Sequence, residues 1–408
     1  MINLKKLLKK DFKVKIILFV LDGVGDLPVK EGKTPLELAN TPNLDRLAKV
    51  SATGLHIPVD YGITPGSGPG HLGIFGYNPA ELEIKRGILE ALGVGLEIRE
   101  TDVAIRGNFA TVKYEEGRPI VVDRRAGRIS TEENQRLIKY LSEKIKKIDD
   151  VEIILCSGKE HRFSLILRFP YKISSLAEKV NDTDPQATDK EPLLPQGENE
   201  EAEKVANIAK KFIDQVAELL KNEPKANYVL LRGFSVRPEI EPFPERFGLK
   251  SACIAVYPMY KGLARLVGMD VITFEGETIK DEIETIKNLF QDYDFFFIHI
   301  KKSDSYGEDG NYEGKVKVIE EFDRFLQDVL ALKPDVISIT GDHSTPCQMK
   351  SHSWHPVPVL IYSSFCLGGL SERFTERECL KGELGIFPSY KLMQLLLAHS
   401  GKLAKFGA

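Results

Sequence analysis

The feature that most constrains this chain is an apolar run that stops on a carboxylate. Val14-Lys15-Ile16-Ile17-Leu18-Phe19-Val20-Leu21 is nearly continuous in β-branched and aromatic residues, and it ends at Asp22-Gly23-Val24-Gly25-Asp26. A strand that is apolar at every position, rather than at alternate ones, has to be covered on both faces, as in a parallel sheet wrapped by helices. Open α/β sheets gather their ligands at the carboxyl ends of the strands. Asp22 therefore stands where chemistry is expected.

The same pattern returns only near the end of the chain. Tyr293 to Ile300 is a second buried-strand run, tipped by Lys301-Lys302-Ser303-Asp304, and Asp335 to Thr340 is a third, tipped by Gly341-Asp342-His343-Ser344. Val357 to Ile361 follows directly on His352 and His355. Helical spacing at Val316, Ile319, Phe322, Phe325 and Leu326 separates the second run from the third, and Asn40-Thr41-Pro42-Asn43 reads as a helix start before Leu44, Leu47 and Ala48. Between the two halves lies an insert from Leu82 to Lys250, with strands at Ile153–Cys156 and Phe163–Leu167 and helices at Glu132–Lys146 and Glu200–Leu220. Asn181 to Asn199, polar and proline-bearing, reads as a loop within it. The expected architecture is α/β: a mostly parallel sheet with helices on both faces, formed by residues 1–81 and 251–408, carrying an inserted α/β domain at 82–250. A chain of 408 residues is long enough for both cores.

Charge and cysteine content exclude several function classes. Lysine and arginine total 56 against 60 acids, so a net charge of -4 gives no footprint for nucleic acid, and an anionic substrate needs a local basic pocket. The five cysteines, Cys156, Cys253, Cys347, Cys366 and Cys379, form no CxxC pair, which suits a reducing cytoplasm. Met1 to Lys15 is lysine-rich and reads as a surface helix; the apolar run after it is too short for a signal core. No stretch approaches the ~20 apolar residues that span a bilayer. The expectation is a soluble protein without membrane or nucleic-acid partners, and one compatible with a homo-oligomer.

Asp22, Asp304, Asp342, His343 and His352 offer hard oxygen and imidazole donors, which suit Mn, Zn or Mg and not a thiolate site. Carboxylates gathered on neighbouring strand tips repel one another unless a cation joins them. The loop Thr64-Pro65-Gly66-Ser67-Gly68-Pro69-Gly70-His71-Leu72 precedes an expected helix, and its glycines allow close backbone approach to a phosphate. Ser67 there would meet both a helix dipole and a metal, conditions that activate a hydroxyl nucleophile.

Several motifs, in chain order, resemble the archaeal-type 2,3-bisphosphoglycerate-independent phosphoglycerate mutases of the alkaline-phosphatase-like superfamily. They are Asp22-Gly23, Thr34-Pro35-Leu36, Ala39-Asn40-Thr41-Pro42-Asn43, His71-Leu72 with Ile74-Phe75-Gly76-Tyr77, Glu90-Ala91-Leu92-Gly93-Val94-Gly95, Asp123-Arg124-Arg125-Ala126-Gly127-Arg128 and Gly341-Asp342-His343-Ser344-Thr345-Pro346-Cys347. The resemblance implies a metal-binding phosphatase-like domain with an inserted phosphotransferase domain. It also implies interconversion of 3-phosphoglycerate and 2-phosphoglycerate through a phosphoserine, in cytoplasmic glycolysis and gluconeogenesis, with two divalent metal ions and no 2,3-bisphosphoglycerate. A phosphomonoesterase, or a phosphotransferase acting on another small acceptor such as homoserine, is the alternative within the superfamily.

By position, the resemblance assigns Asp22, Ser67, Asp342 and His343 to one metal and Asp304 and His352 to the other. The family's usual histidine four residues after that aspartate is Glu308 here, an oxygen donor that favours Mn or Mg over Zn. His355 rivals His352, and Gly68 replaces an aspartate common in relatives. Arg124, Arg125, Arg128, His161, Arg162 and Arg232 are the expected substrate cations, because guanidinium forks match carboxylate and phosphate. Lys261 resembles the lysine that neutralises the phosphoryl group, and Asp123 is the expected acid/base for the glycerate hydroxyls.

Overall fold

A computed structural model describes residues 4–82 and 84–407. Two compact units form: Met1–Glu83 with Ile240–Ala408, and Ile84–Glu239.

The first unit is built on an eight-stranded sheet in the order Asp270–Val271, Ser251–Ala255, Phe295–Ile300, Ile16–Leu21, Val336–Thr340, Val357–Ser363, Ala52–Ile57, Gly385–Pro388. Only Val357–Ser363 runs against the rest. Ile16–Leu21 lies in the middle and every residue of it is buried, which is why its sequence does not alternate. Ile17, Phe19 and Leu21 face a core with Phe322, Leu326 and Val329 of the Tyr312–Leu330 helix, the Phe19 and Phe322 rings meeting edge-on at 5.1 Å. On the opposite face Phe297 packs against Phe75 at 4.8 Å, so helices cover both sides. Parallel register aligns Leu21 with Ile300 and Val20 with Thr340. The residues that follow these pairs, Asp22, Lys301 and Gly341, therefore emerge together at one sheet edge.

The second unit is a six-stranded sheet whose pairings are all antiparallel. Its longest strand, Asp102–Glu115, pairs with Arg162–Arg168, with Tyr228–Val236 and, beyond Ala110, with Arg118–Asp123. Helices Thr131–Lys144 and Glu200–Leu220 bury Leu137, Leu141, Phe212 and Val216 in the same core as Ile105 and Phe163. Ser130 and Asn199 cap these helices by accepting backbone N–H groups at their first turns.

Three local expectations differ from what forms. Within the described residues the lysine-rich start is a single 3-10 turn at Leu4–Leu7, not a surface helix, and Met1 to Asn3 lie outside them. The chain returns to the first unit at Ile240 rather than at Ser251. The cause is packing: Tyr77 donates its hydroxyl to the Glu241 carbonyl at 2.8 Å, and Phe243 lies 4.8 Å from Phe295. The glycine-rich loop is also shorter than expected, because the helix begins at Ser67 itself and runs to Ile74. Among the described residues no helix is long and apolar enough to cross a membrane.

Candidate metal centre and cationic pocket

Asp22 and Asp342 cap neighbouring strands and neither is exposed to solvent. Each has one oxygen tied to the protein. Asp22 Oδ2 accepts the Tyr260 hydroxyl at 2.6 Å and lies 3.2 Å from His299 Nε2 and 3.1 Å from Lys301 Nζ. Asp342 Oδ1 accepts the Gly23 backbone N–H at 3.2 Å. The other oxygens, Asp22 Oδ1 and Asp342 Oδ2, are buried without a hydrogen-bond partner, and so is His343 Nε2, which is 3.4 Å from the first and 3.1 Å from the second. Buried polar atoms are almost always paired, and lone pairs that converge this closely are favourable only around a cation. The donor set thus fits a divalent metal ion.

A second group adjoins the first: Asp304, His343 and His352 offer donor atoms within 4.8 Å of one another. The rings of His343 and His352 stack at 3.6 Å. His352 Nδ1 meets the Pro65 carbonyl at 3.0 Å; a carbonyl can only accept, so Nδ1 carries the proton and the lone pair is on Nε2. That nitrogen lies 3.6 Å from Asp304 Oδ1 and 3.9 Å from Glu308 Oε1. Thr345 donates its hydroxyl to Asp304 Oδ1 at 2.7 Å, and Lys301 bonds the other oxygen. Glu308 is the most exposed member, with 54% of its side-chain surface accessible.

Burial would push both buried carboxyls up, yet His343 and His71 hold Asp342 well below the usual carboxylate range. Asp22 is lowered as well, with His299 and Lys301 outweighing burial and the repulsion from Asp342. His343 rises to about 9 because Asp342 outweighs its burial. A bound metal would displace that proton, since an imidazole ligates only when deprotonated.

Ser67 is the first residue of the Ser67–Ile74 helix and is partly exposed. His71 Nδ1 donates to its carbonyl at 2.8 Å, and the same nitrogen lies 3.2 Å from Asp342 Oδ2. Gly70 is required for this approach, since a Cβ there would stand 2.6 Å from the Asp342 carbonyl oxygen.

Other expected residues fall elsewhere. His355 pairs with Ser353 at 3.0 Å and stacks on Trp354, outside both donor groups. Lys261 holds its ammonium 5.9 Å above the Phe274 ring, and the ammonium among the carboxylates belongs to Lys301. Sequence reasoning passed over Tyr260, His299 and Lys301 as site residues. The available signal was a histidine inside an otherwise apolar strand, Phe295–Ile300, which stacks on Tyr260 at 3.6 Å.

The second unit has its own site. A cavity of about 360 Å³ is lined by Arg124, Arg125, Arg128, His161, Arg162 and Arg232, and also by Arg106, Asn108 and Lys159, which the sequence did not single out. Asp184 grips Arg124 with both oxygens, at 2.7 and 2.8 Å, and Arg232 at 3.2 Å. Arg125, Arg128 and Arg162 have no side-chain ion pair or hydrogen bond among the described residues. Asn108 Oδ1, His161 Nδ1 and Arg106 Nε are buried without a hydrogen-bond partner, Arg106 Nε lying 3.7 Å from Glu90 Oε2. Burial, then the charges of Arg162 and Arg106, push His161 down to about 4, so it is neutral at pH 7. The Asp123 oxygens accept the backbone N–H groups of Arg125 at 2.7 Å and Gly127 at 2.9 Å. Asp123 holds the left-handed turn at 126–128 that displays the arginines.

Residues 14–399 match the family model of the metalloenzyme superfamily. The chain is 65% identical over 405 residues to the probable 2,3-bisphosphoglycerate-independent phosphoglycerate mutase of Aquifex aeolicus, covering 99% of each chain. It is 51% identical to the Thermus thermophilus protein of the same description, covering 97% of this chain and 96% of that one. Among solved structures, the cofactor-independent phosphoglycerate mutase of Thermoplasma acidophilum matches with a TM-score of 0.77 and 30% identity, over 96% of this chain and all of the other.

Proposed function

The chain belongs to the 2,3-bisphosphoglycerate-independent phosphoglycerate mutases, within the metalloenzyme superfamily, and from that premise we propose that it moves the phosphoryl group by way of Ser67. As a phosphoglycerate mutase it interconverts 3-phosphoglycerate and 2-phosphoglycerate. The observation that carries the proposal is the convergence of unpaired Asp22 Oδ1, Asp342 Oδ2 and His343 Nε2 beside the helix that starts at Ser67.

Asp22, Asp342 and His343, with Ser67, are the proposed holders of one divalent ion, and Asp304, His352 and Glu308 of the other. When bound, the ions supply positive charge that favours the Ser67 alkoxide and offsets charge on the phosphoryl oxygens. Manganese is the proposed metal, supported by a donor set of carboxylates and imidazoles without thiolate, with magnesium and zinc as competitors. Ser67 Oγ attacks phosphorus, the bond from phosphorus to the glycerate oxygen breaks, and the phosphoryl group rests on serine. Attack by the other glycerate hydroxyl returns it and frees Ser67. Tyr260 and Lys301 orient Asp22 and balance its charge throughout.

The arginine-lined cavity is the proposed binding place of the substrate's anionic groups. Arg125, Arg128 and Arg162 are among its cations without a side-chain partner in the described residues, while Asp184 fixes the forks of Arg124 and Arg232. Lys261 is proposed as a further phosphoryl cation. The proposed setting is cytoplasmic glycolysis and gluconeogenesis, supported by a reaction between two phosphorylated small acids.

The test supplies 3-phosphoglycerate and manganese, with enolase coupling to detect 2-phosphoglycerate and a parallel assay for free phosphate. Isomerisation without 2,3-bisphosphoglycerate is expected. Phosphate release with no isomer formed would overturn the reading.

A further inference from the structure

Lys315 lies on the Tyr312–Leu330 helix with no side-chain exposure, on the same stripe as Val318, Ile319, Phe322 and Leu326. Its ammonium donates to Asp26 Oδ2 at 2.8 Å, to the Thr345 carbonyl at 3.0 Å and to the Gly25 carbonyl at 3.3 Å. These acceptors come from two different loops. Gly25 and Asp26 belong to the loop that begins with Asp22, and Thr345 to the loop that begins with Asp342 and His343.

The bonds continue from both ends of this staple. Asp26 also accepts the Cys347 backbone N–H, at 3.1 Å to Oδ1 and 3.2 Å to Oδ2, so its carboxylate crosses from the first loop to the second. Thr345, gripped through its carbonyl, uses its hydroxyl on Asp304 Oδ1 at 2.7 Å, with His343 Nδ1 3.0 Å away. One buried ammonium is therefore two bonds from Asp304 and His343 and sits on the loop of Asp22.

Stability alone does not account for it. Exchanging a buried ion pair for apolar residues of similar volume is often neutral or stabilising. What an apolar side chain cannot do is hold three acceptors on two loops in one register. Groups behind a metal's ligands orient them, and their loss typically lowers metal affinity by about 10- to 100-fold.

We propose that Lys315 is a positioning residue of the metal centre, an internal ammonium that staples the Asp22 loop to the Asp342–Thr345 loop and thereby sets the ligand geometry. The inference rests on the reading of Asp22, Asp304, Asp342 and His343 as metal ligands.

The experiment measures manganese affinity and stoichiometry by calorimetry on the metal-stripped full chain, for wild type, Lys315→Met, Asp26→Asn and Leu326→Ala. Leu326→Ala is the control: it opens the core on the same helix, lowering Tm without touching either loop. Lys315→Met is expected to lose about tenfold or more in manganese affinity while Leu326→Ala keeps the wild-type value. If Lys315→Met does not fold by circular dichroism, Asp26→Asn is read in its place, with the same expectation. Equal affinities in wild type and the staple variant, or an equal loss in Leu326→Ala, would overturn the staple. Absence of manganese binding by the wild type would instead overturn the underlying ligand reading.

Discussion

Glu308 stands one helical turn after Asp304 on the Lys302–Asp309 helix, a spacing that puts both carboxylates on one face, and its Oε1 lies 3.9 Å from His352 Nε2. An exposed carboxylate at that distance can swing toward a cation or stay in solvent. Glu308→Ala is expected to weaken one of two bound ions by about tenfold and leave the other unchanged. Calorimetry that finds two unaltered sites would remove Glu308 from the ligand set. At this scale much of the site was legible in the sequence, because a strand that ends on a carboxylate announces its own position. Asp22 and Asp342 follow that rule, with His343 next to Asp342, while Asp304 comes within the first turn of the helix after its strand. Tyr260, His299 and Lys315 do not: they sit within regular elements, where a polar residue among apolar ones marks burial but does not say which partner it meets.

Among the elements, the four-residue helix Pro35–Leu38 shows how a cap can reach into the interior. Thr34 and Glu37 form a reciprocal capping box at its start, and the Thr34 hydroxyl donates to Glu376 Oε2 at 2.7 Å. Glu376 also accepts the Asp26 backbone N–H at 3.0 Å. Although part of the residue reaches the surface, its carboxyl is enclosed, and burial pushes it up to about 7 despite those donors. A carboxyl raised above its unfolded value stabilises the fold fully below about pH 4.5 and loses that contribution as pH rises through about 7. Glu376→Gln is expected to flatten the fall in Tm between about pH 5 and pH 8 and to be the more stable protein at the upper end. Melting curves with the same slope for both proteins would contradict this. Legibility was uneven among the elements. The continuous apolar strands were readable because nothing in them alternates. Asp102–Glu115 was missed because Arg106 and Asn108, which line the cavity, interrupt its apolar pattern. The helix at Ser67 was placed late because glycine and proline at its start read as a turn.

For the whole molecule, a net charge of -4 conceals a division of labour. One unit gathers carboxylates and imidazoles that keep donor atoms free of hydrogen bonds, and the other gathers arginines around a cavity. Arg125→Ala and Arg128→Ala are each expected to raise KM for phosphoglycerate by about tenfold while leaving manganese stoichiometry at the wild-type value. Loss of metal in either variant would mean that the two sites do not divide the work in this way. The interrupted sheet was visible in the sequence, since its strands appear only at the two ends of the chain. The return point was not, because Phe243 and Phe247 look like any buried pair until Phe295 and Tyr77 are seen to receive them. The central claim is that Ser67 carries the phosphoryl group between the two glycerate hydroxyls. The most direct test is to quench the manganese-loaded enzyme during turnover of 3-phosphoglycerate and locate phosphate on its peptides by mass spectrometry. Phosphate on Ser67, and none in an inactive Ser67→Ala variant that still binds metal, is the predicted result. An active Ser67→Ala enzyme, or phosphate trapped on a different residue, would contradict it.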